Sequence, residues 1–159
     1  MHVNARAIIE RETADGVEIV VQIRNEPAAG GKLLELPGGR IEEYEPLLDA
    51  LRREVREETG LTLVQIAGAE TRIETVGADA QAECLAPFAV YQTLAGPVDS
   101  LGVYFRCRAT GELLASGDDT EQIRWLSVQR VAQWLKDAPE QFSWVDRAGL
   151  VFYLRQRGE

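Results

Sequence analysis

This chain of 159 residues carries one histidine and two cysteines. Scarce imidazole excludes several chemistries at once. Ser-His-Asp triads, Cys-His dyads and His-ligated zinc sites need a histidine held inside a fold, whereas His2 stands at the second position, where chains commonly fray. Chemistry therefore falls to carboxylates, hydroxyls, cations or a metal held by oxygen. Cys84 and Cys107 are not closely spaced and read as reduced, buried thiols, with a disulfide between them the less favoured alternative. No run approaches the roughly 20 apolar residues of a membrane span. The opening MHVNARAIIERE meets charge too early for a secretory signal, so a cytoplasmic protein without a membrane partner is expected. Positive charge is also short: 17 Lys plus Arg against 26 Asp plus Glu give a formal net charge of -9. Such a surface repels a phosphate backbone, which disfavours nucleic acid as a partner.

What the chain does have is 45% hydrophobic residues over a length suited to one domain, taken here as 1–159. Residues 3–10 and 17–24, rich in Val and Ile, flank Ala14-Asp15-Gly16 and predict a hairpin. Residues 27–32 are rich in turn formers and read as a loop, followed by a short strand over 33–36 that ends in Pro37-Gly38-Gly39. Residues 46–59 predict a helix with Pro46 in its first position and Gly60 as a left-handed terminator. Strands are expected over 61–76, 81–94, 101–109 and 123–126, and helices over 128–136 and 144–155, the last with Val145, Leu150, Val151 and Leu154 inward. Mixed strands with helices at separated positions indicate an α/β (α+β) sandwich with a mixed sheet.

The helix over 46–59 carries the chemistry. At about 100° per residue, Glu58 falls near +40° and Glu57 near -60° from Glu54, so three carboxylates share one face. Leu48, Leu51, Val55 and Thr59 form a separate stripe suited to pack on a sheet, and Asp49, Arg52 and Arg56 point to solvent. The acidic face offends two local rules, because like charges repel at these spacings and carboxylates near a helix C-terminus meet the negative end of the macrodipole. A divalent cation reverses the sign of each of these effects, since Mg²⁺ takes hard oxygen ligands and reaches for substrate phosphates. The competing reading is a solvated helix neutralised by Arg52, Arg53 and Arg56.

Residues 39–61, GRIEEYEPLLDALRREVREETGL, resemble the Nudix box of the Nudix hydrolases, G-x5-E-x7-R-E-U-x-E-E-x-G-U with U a bulky aliphatic. Gly39, Glu45, Arg53, Glu54, Val55, Glu57, Glu58, Gly60 and Leu61 occupy its fixed positions. Many members have Gly just before the first box glutamate, where this chain has Tyr44. The resemblance implies a Nudix-type α/β/α sandwich and metal-dependent hydrolysis of a phosphoanhydride bond in a nucleoside diphosphate derivative: a nucleotide sugar, ADP-ribose or a nucleoside triphosphate. It implies Mg²⁺ or Mn²⁺ held by Glu57 and Glu58, with Glu54 a further ligand or proton acceptor and Gly38 offering its carbonyl. Arg53 would orient the acids, and Glu45 would partner Arg53 or serve as an accessory acid. The Pro that ADP-ribose-specific members often carry shortly beyond the box is missing from Glu74-Thr75-Val76-Gly77, and the longer NADH signature is absent too.

Members often place another acid in a loop before a late strand, as metal ligand or general base. Asp118, Asp119 and Glu121 qualify, with Glu121 favoured as base and Asp119 as ligand. Arg24, Lys32 and Arg40 are candidate phosphate contacts, because an anionic substrate entering an anionic site needs cations at its rim. Phe88, Tyr91, Tyr104 and Trp125 could stack on a base but read better as core. The run 144–154 covers the sheet or, alternatively, forms a homodimer contact. Two alternatives to hydrolysis are a nucleotide sensor without turnover and a metal-assisted isomerase acting on a diphosphate ester.

Overall fold

The computed structural model describes residues 1–27 and 31–159, so the Ala28-Ala29-Gly30 part of the expected loop lies outside the described residues. Strands β1 (His2–Thr13) and β2 (Gly16–Glu26) form the expected hairpin, closing at the Thr13–Gly16 pair. Both outrun their apolar segments, since backbone pairing needs no apolar side chain. Gly31 and Lys32, expected in a loop, begin β3 (Gly31–Glu35), which pairs with β2. Pro37 makes a turn, and Gly38–Arg40, expected as an extension of that turn, forms the short strand β4 on β1.

Helix α1 (Leu47–Thr59) follows, with Pro46 as its cap rather than its first residue. It ends at Gly60, whose φ of 79° is left-handed as expected. The first free N–H, that of Leu47, donates to Glu83 Oε1 at 2.9 Å, so a carboxylate remote in sequence completes the helix start.

The expected strand over 61–76 is broken into β5 (Thr62–Ile66) and β6 (Ile73–Val76) by a turn at Gly68, where φ is 98°. Likewise 81–94 divides into β7 (Gln81–Cys84) and β8 (Ala89–Gln92). β6 and β7 form an exposed hairpin of their own. Then come β9 (Ser100–Thr110), the two-residue β10 (Ser116–Gly117), β11 (Thr120–Ser127), α2 (Val128–Asp137) and α3 (Trp144–Arg157).

Among the described residues the main sheet runs β10-β11-β2-β1-β9-β5, with β3, β4 and β8 attached to β2, β1 and β9. It is mixed, because β1 and β9 are parallel while its other pairs are antiparallel. β1 is buried continuously from Ala5 to Glu10, the mark of a strand covered on both faces. Ala7, Ile9 and Val20 pack with Leu48, Leu51 and Val55 of α1. Ile8, Ile19 and Val21, one residue out of phase, pack with Val131 of α2 and Leu150 of α3. The α/β/α sandwich is the result. Val151, expected inward, is exposed, because Tyr153 takes the buried position on α3 with Leu150 and Leu154. No helix is long and apolar enough to cross a membrane among the described residues.

Candidate active site

The three α1 carboxylates share a face but not an environment. Glu57 is exposed, Glu54 is mostly covered and Glu58 is 2% exposed. Glu58 Oε2 accepts the Gly38 N–H at 2.9 Å and Gln22 Nε2 at 2.8 Å, while its Oε1 pairs with Arg24. Gln22 also donates to Glu35 at 3.2 Å, and Arg24 Nε donates to the same Glu35 Oε1 at 2.8 Å. Two buried carboxylates thus share one amide and one guanidinium. Burial first, then the neighbouring Glu35 charge, push the Glu58 carboxyl up to about 7.

Arg53 serves the other acids. It donates to Glu45 through Nε and Nη2, and to Glu54 Oε1 at 2.8 Å through Nη1, with Glu57 3.6 Å away. The competing reading of a helix neutralised by its own arginines is therefore realised by Arg53 alone. Arg52 pairs with Asp49, and Arg56 donates to the Gly60 carbonyl and Thr62.

Close packing positions the turn against α1. Gly38 has φ of 140°, and a Cβ there would meet the Ala5 carbonyl oxygen at 2.3 Å. A Cβ on Gly39 would strike Glu54 Oε2 at 2.5 Å. The turn is anchored behind by Asp146, fully buried on α3. Its Oδ2 accepts the Leu36 N–H at 2.9 Å and Arg6 Nη1 at 3.2 Å, and its Oδ1 accepts Tyr104 OH at 3.1 Å.

Gly38, Gly39, Arg40 and Glu54 line a cleft of about 470 Å³ that Arg24 also borders. It is also lined by Tyr91, which lies across Gly102, and by Trp144, which lies on Gly96. The C-terminal run thus contributes a half-exposed ring to the cleft as well as its cover of the sheet. Tyr104 is core as expected, and Tyr91, though buried, faces this cleft.

Lys32, Asp119 and Glu121 lie elsewhere. They line a second cleft of about 550 Å³, in which Lys32 pairs with Glu121, and Arg24 borders both. Neither Asp119 nor Glu121 is bonded to a box carboxylate. Their loop touches α1 through Asp118 N–H to the Glu57 carbonyl at 3.4 Å and Thr120 Oγ to the Glu58 carbonyl at 3.3 Å. Of the expected phosphate contacts, Arg24 and Arg40 line the cleft that Glu54 borders, Arg40 with its guanidinium 3.1 Å from His2 Nε2, and Lys32 does not share that cleft.

Sequence reasoning missed Gln22, Glu35, Arg6 and Asp146. The readable signal was a polar residue inside an apolar strand: Gln22 in VEIVVQIR and Glu35 in KLLEL.

As a donor set, carboxylate oxygens on one helix face, with the Gly38 turn packed beside them, suit a hard divalent cation. Among the described residues no group of three acidic, His or Cys side chains forms a ready-made metal cage, since Arg24 and Arg53 already neutralise separate parts of the cluster.

An α/β/α sandwich that sets a glutamate-bearing helix against a glycine turn defines a Nudix-type fold. A family model for the NUDIX domain matches residues 1–148. Solved structures of the same fold include a Nudix hydrolase family member from Chromobacterium violaceum, at 24% identity, covering 100% of this chain and 80% of that one with a TM-score of 0.58. A MutT protein from Methanosarcina mazei Go1 matches at 17% identity, 99% and 96% coverage and a TM-score of 0.58. The NUDIX domain of Shewanella oneidensis NrtR, solved with ADP ribose, matches at 16% identity, 100% and 89% coverage and a TM-score of 0.66. No curated protein matches the sequence. The chain belongs to the Nudix family.

Proposed function

We propose that this protein hydrolyses a phosphoanhydride bond in a nucleoside diphosphate derivative, with Mg²⁺ or Mn²⁺ as cofactor. One observation carries this reading. Glu54, Gly38 and Gly39 border the same cleft as the cations Arg24 and Arg40 and the rings Tyr91 and Trp144, so a polyphosphate end and an aromatic end meet in one cavity.

Glu57 and Glu58 would be the principal metal ligands, joined by the Gly38 carbonyl, with Glu54 either a further ligand or the proton acceptor. The bound dication would supply charge neutralisation at the phosphates and acidify a water. In the second of these roles Glu54 would take the proton of that water. Its Oε1 is held by Arg53, while Oε2, against Gly39, has no hydrogen-bond partner among the described residues. Arg53 fixes the carboxylates in position, and Glu45 fixes Arg53. Arg24 and Arg40 would meet the phosphates at the rim, and Trp144 would stack on the base. Asp119, Glu121 and Lys32, which line the adjoining cleft, would meet an outer part of the substrate.

The test is a Mg²⁺-dependent screen of nucleoside triphosphates, nucleotide sugars, dinucleoside polyphosphates and ADP-ribose. The last is included because the NrtR domain of the same fold holds it. Two phosphate-containing products are expected, with losses of at least about 10²-fold in Glu57→Gln and Glu58→Gln. Near-normal turnover in both variants removes the site assignment. A rearranged ester would indicate an isomerase, and unchanged nucleotide with a binding signal a sensor.

A further inference from the structure

Two arginines divide the acids of this site between them. Arg53 takes Glu45 and Glu54, while Arg24 takes Glu35 and Glu58. Arg24 is the one cation paired with Glu58 among the described residues. Its surroundings are unequal: Glu35 and Glu58 are 5% and 2% exposed, but the Arg24 side chain is 29% exposed and borders both clefts. The carboxylates are fixed and the guanidinium has a way out.

We propose that Arg24 is a stand-in cation for the metal, whose release from Glu58 couples metal binding to capture of the substrate's phosphates. The inference rests on the metal-dependent reading above. Glu58 Oε2 is occupied by the Gly38 N–H and Gln22, so Oε1, the oxygen that Arg24 holds, is the one a dication must take. Cation and guanidinium compete for that atom and repel one another once both are near it. Glu35 accepts from Gln22 and lies 3.9 Å from Arg6 Nη1, so it keeps partners when Arg24 turns outward. The cleft into which Arg24 turns is bordered by Gly38, Gly39 and Glu54, where a pyrophosphate would lie. Metal thus frees the arginine that grips the substrate, and substrate holding the arginine favours metal, as reciprocal linkage requires.

The test compares wild type, Arg24→Gln and Arg24→Lys. Mn²⁺ affinity is read from the free-ion electron paramagnetic resonance signal, and binding of methylenediphosphonate, an uncleavable pyrophosphate analogue, is measured by calorimetry in saturating Mg²⁺. Arg24→Gln should bind Mn²⁺ about fivefold or more tightly and the diphosphonate about fivefold or more weakly. Arg24→Lys, which keeps the charge, should bind Mn²⁺ within about twofold of wild type. Damage to the fold would weaken both ligands, so shifts of opposite sign are the signature. Should Arg24→Gln fail to fold, the wild type decides: the Arg24 Nε–H resonance should move on adding Mg²⁺ while that of Arg6 stays. An unchanged Arg24 resonance, or Mn²⁺ affinity equal or weaker in Arg24→Gln, overturns this inference alone. Absence of Mn²⁺ binding to wild type overturns the metal-dependent reading with it.

Discussion

Arg53 holds Glu45 in a two-pronged grip, Nε to Oε1 and Nη2 to Oε2, each at 2.8 Å. Its remaining nitrogen reaches Glu54, so one planar group ties the loop before α1 to a carboxylate in the middle of it. Lysine keeps the charge but has no fork with which to span both acids. Arg53→Lys is expected to lower kcat about 10- to 100-fold with KM changed much less, as a misplaced carboxylate would. Steady-state kinetics on the substrate found by the screen, beside a circular dichroism spectrum, checks it.

The same pair sets a pH dependence. Hydrogen bonds from Arg53 hold the Glu45 carboxyl down at about 2, against an ordinary value of 4.5. The folded value is depressed, so the contribution to stability is fully present above the ordinary value and is lost as pH falls towards 2. Urea denaturation of wild type and Glu45→Gln should show a stability gap at pH 6 that narrows steadily between pH 5 and pH 2. A gap that does not change with pH would exclude ionisation of Glu45 as its cause.

Tyr44 sits at φ of 60° with its ring almost wholly in solvent. A left-handed backbone without side-chain packing costs an L-residue about 1 kcal/mol or more, part of which glycine returns to the unfolded chain as entropy. Tyr44→Gly is therefore expected to raise stability by about 0.5–1 kcal/mol, measured as a higher urea midpoint at unchanged slope. This is the position at which related boxes commonly have glycine.

The two cysteines differ in reactivity. Both are free, but Cys84 is exposed and Cys107 is buried, which corrects the expectation of two buried thiols. Burial, with a smaller contribution from Glu10, pushes the Cys107 thiol up to about 12, so its thiolate is scarce at neutral pH. Iodoacetamide should label Cys84 in the native protein and Cys107 only after denaturation. Peptide mass spectrometry reads both.

The helix and its acids were legible because their information is local. Spacing of three and four residues alone separates Leu51 and Val55 from Glu54, Glu57 and Glu58, and Gly60 closes the helix through its own dihedral. Strand ends were less legible. Gly68 breaks 61–76, and Gly38–Arg40 pairs with β1 despite its turn-like composition, because partners for backbone groups come from distant segments.

From its sequence alone this chain determined a carboxylate-bearing helix and a glycine turn before it, whereas His2, expected to fray, is held in β1 and borders the cleft with its ring 3.1 Å from Arg40. Which carboxylate is buried, and which arginine answers it, came only with the tertiary structure. Gln22 meets Glu58 across 36 positions of sequence and Leu36 meets Asp146 across 110. The physical reason is that helical periodicity orders neighbours along a chain, whereas the environment of a buried charge depends on what the sheet brings over it.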